Sequence, residues 1–178
     1  MKKGLIAATV VIGLISVIAA VSMFRFMQQE KIREAFKPHV QEYLETDYAP
    51  AGDAAPYIRG RVVTVNTERK EVDDWTYPKL PQTIQARDPD AVDTVVLITW
   101  EKEKAGVYQD VETEEETGEA YRSKAFITLI DWQEKKIIAE KVFTGQEPLK
   151  GLSRDGDFTS QWPMFDVIDY LMELPRKE

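Results

Sequence analysis

FITLIDWQEKKIIAEKVFTGQEP, residues 126–148, reads as a strand, a tight charged turn and a returning strand, closed by Gly145 and Pro148. The β-branched run before Asp131 and the apolar run after Lys136 have the composition of paired strands, and the four residues between them are turn chemistry. A second stretch follows the same plan. VVTVNTERKEV, residues 62–72, has a β-branched run, Asn66, a charged turn ending in Lys70 and a return strand. Asn66 and Asp131 occupy matching places, where a short polar side chain bonds the amides of its own turn.

Between these hairpins lies TVVLITWEKEK, residues 94–104, apolar on both faces, which predicts a central strand. Val95, Leu97 and Thr99 point one way; Val96, Ile98 and Trp100 point the other. Pro78 and Pro81 stop the preceding strand, and ARDPDAVD, residues 86–93, is a loop. At the C-terminus, SQWPMFDVIDYLMELP predicts a helix. Pro163 suits its first position, Asp166 suits the positive end of the dipole and Pro175 enforces the stop. Phe165, Ile168, Leu171 and Met172 are read as its apolar face. The expected fold is α+β: a small antiparallel β-sheet domain with the C-terminal helix packed on the sheet.

The segment LID…KKIIAEKVFTGQEP resembles the inner hairpin of a blade in propellers of the YVTN-repeat type, where Asp ends one strand and Gly-x-x-Pro closes the next. That resemblance implies no site residue, because two hairpins cannot close a ring of about four to eight blades. A single sheet is the expectation.

The N-terminus is of another kind. Gly4 to Phe24 is uncharged, with Thr9, Ser16 and Ser22 its only polar side chains. As a helix it spans roughly 30 Å, the hydrocarbon thickness of a bilayer. A cleaved signal peptide has a shorter apolar stretch of about 7–15 residues, although Ala20-Val21-Ser22 has the composition of a cleavage site. Length favours the anchor, and the chain is read as 1–27 transmembrane signal-anchor, 28–45 juxtamembrane helical stalk, 46–56 Ala/Pro/Gly linker and 57–178 acidic globular domain. Basic residues crowd both flanks of the apolar run, so the charge rule leaves orientation open. The short basic tail Lys2-Lys3 resembles a signal-anchor and places the domain outside the cytoplasm. In the stalk, Ile32, Phe36, Val40, Tyr43 and Leu44 share one face, which packs on the domain or on a second copy. Pro38 is expected to kink that helix or split it.

Charge narrows the partners. Residues beyond 27 carry 20 basic and 31 acidic side chains, net −11. Nucleic acid requires a basic patch, which no stretch supplies, and such a surface should stand off anionic lipid. Zero cysteines remove disulfides and thiolate chemistry. The single histidine, His39, lies in the stalk with no nucleophile context, and no phosphate-cradling glycine loop occurs. No cofactor and no metal site are expected. The acidic run DVETEEETGE, residues 110–119, has the wrong spacing for a calcium loop and reads as a hydrated turn. Ser153 to Asp157 reads as a turn around Asp-Gly.

The material for recognition is Trp75, Trp100, Trp132 and Trp162. Trp132, entering a turn behind Asp131, is expected to be partly exposed, and Trp132, Trp75 and Asp131 are the candidate partner-binding residues. The functional expectation is a membrane-anchored, non-catalytic binding module of the cell envelope, held by residues 4–24 and engaging an envelope protein or polysaccharide. Two alternatives stand beside it. One is a carboxylate-dependent envelope hydrolase using acids such as Asp73, Asp74 or Asp131; the other is a structural protein whose stalk pairs two copies beside the membrane.

Overall fold

The computed structural model describes residues 2–50, 52, 55–110, 113, 115–149 and 156–177; of helix residues 2–19, 21, 22, 25 and 26 it describes the backbone only. Both sequence hairpins are present. β2 (Val62–Asn66) pairs antiparallel with β3 (Glu71–Val72), and β5 (Glu116–Asp131) pairs antiparallel with β6 (Lys136–Thr144). In the first turn the Asn66 Oδ1 accepts from the Glu68 and Arg69 amides, and in the second the Asp131 Oδ1 accepts from the Glu134 amide at 3.1 Å. Lys70 and Lys135 close the two turns with φ of 53° and 48°. This left-handed conformation costs a non-glycine residue roughly 1–2 kcal/mol, which the surrounding ladders outweigh.

β4 (Thr94–Gln109) is the central strand, its buried half flanked by β2 and β5. Among the described residues the main sheet runs β3-β2-β4-β5-β6, and β7 (Phe158–Thr159) joins β5 beyond the end of β6. The expected all-antiparallel sheet is corrected here. β2 and β4 are parallel from Val62↔Thr94 to Asn66↔Ile98, β7 is parallel to β5, and a separate pair, β1 (Ile58–Arg59) with β8 (Arg176–Lys177), is also parallel. Residues 67–93 make this possible, because a connection of that length returns the chain to the end from which β2 started. Alternating hydrophobicity is the same in either direction, so the pattern carried no sign of it.

α2 (Met164–Glu173) follows Pro163, which sits at its N-cap, with Asp166 in the first turn. Its buried face differs from the one expected. Val167 and Leu171 are fully buried and Ile168 nearly so, while Phe165 and Met172 are 50% and 43% exposed. The i, i+3, i+4, i+7 set Met164, Val167, Ile168 and Leu171 is the continuous stripe. Tyr170 meets Phe143 of β6 at 5.6 Å, which places α2 on the sheet face shared by Phe143, Ala125 and Trp100 through cross-strand register.

α1 (Lys2–Glu45) is one helix. It continues through Pro38 where a kink or break was expected; Pro38 and Glu34, whose carbonyl loses its partner, are both exposed, so the missing bond falls on the solvent side of the helix. Phe36, Val40 and Tyr43 are buried in the domain's own core. Phe36 touches Tyr77 edge-on at 6.5 Å and Tyr43 touches Trp132 at 4.6 Å. The stripe read as a stalk face therefore packs on the domain. Val63, Val65, Val95 and Ile130, which point away from α2, are at 0% exposure, and α1 is the element placed to cover them. Residue Ala49, in the Ala/Pro/Gly segment, is tied to the second hairpin by bonds from its amide to the Lys135 carbonyl and to its carbonyl from the Ile137 amide.

The apolar run Gly4–Phe24 falls mostly on helix positions whose side chains lie outside the described residues. Among the described residues no helix is long and apolar enough to cross a membrane. The acidic run is divided: Asp110 caps the β4–β5 turn by accepting from the Thr113 amide at 2.8 Å, Glu116 to Glu119 are strand, and residues 111, 112 and 114 lie outside the described residues. Of the turn around Asp-Gly, residues 153–155 also lie outside them; Asp157 accepts from the Glu119 amide at 2.8 Å.

Candidate functional site

Trp75, Trp100 and Trp162 come from the segment after β3, the middle of β4 and the approach to α2, and they meet on one face of the sheet. Their ring centres are 5.1 Å (Trp75–Trp100), 5.2 Å (Trp75–Trp162) and 5.7 Å (Trp100–Trp162) apart. With Asn66, Glu68, Arg69, Glu101 and Lys102 they line an open groove of about 660 Å³. Trp100, 5% exposed, is its floor, and the half-buried Trp75 and Trp162 are its walls.

The floor is set by a buried carboxylate. Asp73 is at 0% exposure, and its Oδ2 accepts from the Trp100 Nε1 at 2.8 Å. Its Oδ1 accepts from the Thr76 amide at 2.7 Å and the Trp75 amide at 3.1 Å, and lies 2.7 Å from the Thr76 hydroxyl. A buried charge is tolerated where donors surround it, and here the donors belong to two of the three rings' own segments. Asp73 thus orients Trp100 directly and Trp75 through its backbone.

Each wall has its own support. The Arg69 guanidinium lies 5.9 Å from the Trp75 ring centre and is held by Asp74 at 3.2 Å and by Glu71 at 3.2 Å. Burial pushes the Asp74 carboxyl up, but the Arg69 hydrogen bond and the charges of Arg69 and Arg33 outweigh it and hold the carboxyl below its ordinary range. The Asp74 hydrogen bond raises the Arg69 guanidinium above its own range. Behind Trp162, the Ser160 Oγ accepts from the Ser123 amide at 3.0 Å, and the Ser123 hydroxyl donates to the Gln161 carbonyl at 2.7 Å. Gly145 donates its amide to the Ser123 carbonyl at 2.8 Å, and a Cβ there would collide with the Ser123 Oγ and the Gln161 carbonyl. The glycine that closes the second hairpin is therefore required by close approach.

Of the residues singled out in the sequence, Trp75 lies in this groove and Asp131 and Trp132 do not. Asp131 pairs with Thr94 and Trp100 with Ala125, so the two positions are at opposite ends of the buried half of β4. Asp131 is at 0% exposure, accepting from the Tyr57 hydroxyl at 2.6 Å and the Arg59 guanidinium at 3.0 Å. Trp132 is half-buried between Tyr43 and Tyr48, with Lys135 over its ring. Nothing in the sequence separates Trp100 and Trp162 from the other two tryptophans; the one local signal is Trp100's place in the alternation with Val96 and Ile98.

The carboxylates closest to strands are occupied within the fold: Asp73 by the groove floor, Asp74 by Arg69, Asp131 by Arg59. Among the described residues no three His, Cys, Asp or Glu side chains gather as a metal-binding group. A second recess, of about 710 Å³, lies between α1 at Ala20, Phe24, Gln28 and Ile32 and the loop from Tyr77 to Arg87. It is larger, but its lining is aliphatic and amide side chains with Arg87 its one charge, and it brings no rings together beyond Phe24 and Tyr77. No protein-family model, no curated protein and no solved structure matches the chain.

Proposed function

We propose that this protein is a single-pass, membrane-anchored, non-catalytic binding module of the cell envelope, whose recognition face is the tryptophan groove. In this reading residues 4–24 lie in the bilayer and the acidic domain stands outside the cytoplasm, where it engages an envelope protein or polysaccharide. One observation carries it: three indoles from distant parts of the chain converge on an open groove, with a buried carboxylate holding the floor ring in place. Trp and Tyr in a preset concave surface are the side chains that dominate binding energy at interfaces. The continuous α1 supports the anchoring part, because the helix that carries the apolar run is also a core element of the domain, so groove and membrane are linked without a flexible joint.

The test is site-specific photocrosslinking in intact membranes, with the probe at Lys102 on the groove rim and, for comparison, at Lys37 on the exposed face of α1. A discrete adduct from position 102 that is absent from position 37, and lost when Trp162 is changed to Phe, is expected. Equal labelling at both positions, or none at either, overturns the recognition face. Protease digestion of a C-terminal tag before cell lysis is expected for the proposed orientation; protection until lysis reverses it.

A further inference from the structure

We infer that the tryptophan groove receives an extended, proline-containing peptide segment in the polyproline II conformation, with charges of both signs flanking the prolines. The inference rests on the groove being the recognition face and names what it holds.

The shape of the groove points to such a segment. The planes of Trp75 and Trp162 are inclined at 46°, and Trp100 stands at 57° and 85° to them. This surface is ridged. A sugar ring stacks its flat side on a flat aromatic platform, whereas a polyproline II helix is itself ridged, with three residues per turn and pyrrolidine rings projecting from it. Aromatic-lined grooves recognise such segments because the ligand backbone is ordered before it binds.

Hydrogen bonding points the same way. The Trp100 indole N–H is consumed by Asp73, but those of Trp75 and Trp162 donate to no acceptor among the described residues, and neither is sealed from solvent. The groove thus offers two indole donors. A polyproline II strand makes no internal hydrogen bonds, so its carbonyls are free to accept, and its prolines bring no backbone N–H of their own.

Charge on the rim favours a peptide over a neutral ligand. Arg69 is taken up by Asp74 and Glu71, but Glu68 and Lys102, the latter on the Trp100 face of β4, line the groove and have no ion-pair partner among the described residues. A neutral glycan leaves these two charges unanswered. A peptide carrying an acidic and a basic residue beside its prolines answers both signs. Asp73 holds the Trp100 ring and the Trp75 backbone, and Ser123 and Ser160 hold the segment before Trp162, which lowers the ordering cost of binding.

The full chain in non-ionic detergent is titrated by calorimetry and tryptophan fluorescence against three probes: a short proline-rich peptide with Glu at one end and Lys at the other, the same peptide with every proline replaced by alanine, and a neutral β-linked oligosaccharide. The proline peptide is expected to bind and shift the emission, and the alanine version to bind at least about tenfold more weakly because its backbone must be ordered on binding. Lys102→Glu, at an exposed site, is expected to weaken the proline peptide several-fold and to regain it when the peptide's Glu is changed to Lys. Trp162→Phe, which keeps an aromatic ring, is expected to weaken binding while a cooperative melt shows the variant folded. Equal binding of the proline and alanine peptides, or indifference to Lys102→Glu, overturns the inference. Oligosaccharide binding that Trp162→Phe weakens, without peptide binding, also overturns it but leaves the groove as the recognition face; silence from every probe together with no adduct at position 102 removes both.

Discussion

Replacing Asp73 by Asn is the sharpest test of how the groove is built, because it keeps the shape of the side chain and changes only what its atoms do. Asp73 presents two acceptors: Oδ1 takes the Thr76 and Trp75 amides and lies beside the Thr76 hydroxyl, and Oδ2 takes the Trp100 indole. Asparagine has one acceptor oxygen and one NH2. The oxygen serves the side with more donors, which turns the NH2 onto the Trp100 N–H in a site that is closed to water. A buried donor left without its partner costs about 1–3 kcal/mol, so Asp73→Asn should lose about 2 kcal/mol. Asp73→Ala, which strands the Thr76 amide as well, should lose about 3–5 kcal/mol. With a urea slope of about 1–3 kcal/mol per molar for a domain of this size, the asparagine variant's midpoint falls by about 1 M. The assay is urea unfolding in a mild non-ionic detergent, followed by tryptophan emission, which also reports the groove in the folded state. A midpoint for Asp73→Asn within about 0.3 M of the parent, corresponding to about 0.3–0.9 kcal/mol, would falsify the assignment of Asp73 as a double-sided acceptor.

Three further outcomes are expected. Burial pushes the phenols of Tyr43 and Tyr77 above their ordinary value and that of Tyr48 up to about 12. A raised pKa on a neutral acid stabilises the fold fully below the unfolded value near 10 and loses that contribution as pH rises through the folded values, so melting temperature should drop steeply from about pH 10 to 12; tyrosinate absorbance that appears well before unfolding would contradict this. Gly145→Ala forces Ser123 and the Gln161 backbone apart, so a loss of about 1–3 kcal/mol with a shift in tryptophan emission is expected, and a neutral melt would show that the segment carrying Trp162 is free to move. Lys70→Gly relieves a left-handed φ of 53° at an exposed turn position and should gain about 0.5 kcal/mol after glycine's entropy is subtracted, read as a raised urea midpoint.

Features that a few neighbouring residues settle were legible in the amino-acid sequence. Asn66 and Asp131 stand where their own turn amides need an acceptor, each followed four residues later by the lysine that takes the left-handed position, so both hairpins were legible. The alternation through Val95 to Trp100 identified a strand buried on both faces, and Pro163 and Pro175 bracketed α2. In each case the steric or hydrogen-bonding reason lies within one turn or one strand. Tertiary structure decided the rest. The parallel pairing of β2 with β4 depends on where the chain from Thr67 to Asp93 returns, which periodicity does not encode. The stripe Phe36, Val40 and Tyr43 has the same spacing whether it faces this domain or a second copy, and its burial was settled by the sheet face left open opposite α2. The role of Asp73 was hidden for the same reason: beside Asp74 it read as one of many acids, and only the fold brings Trp100, 27 residues away along the chain, to its second oxygen. Trp75, Trp100 and Trp162 share no sequence pattern. They form one groove because strand register, a buried carboxylate and a glycine too close to its neighbours for a Cβ bring three distant indoles to the same place.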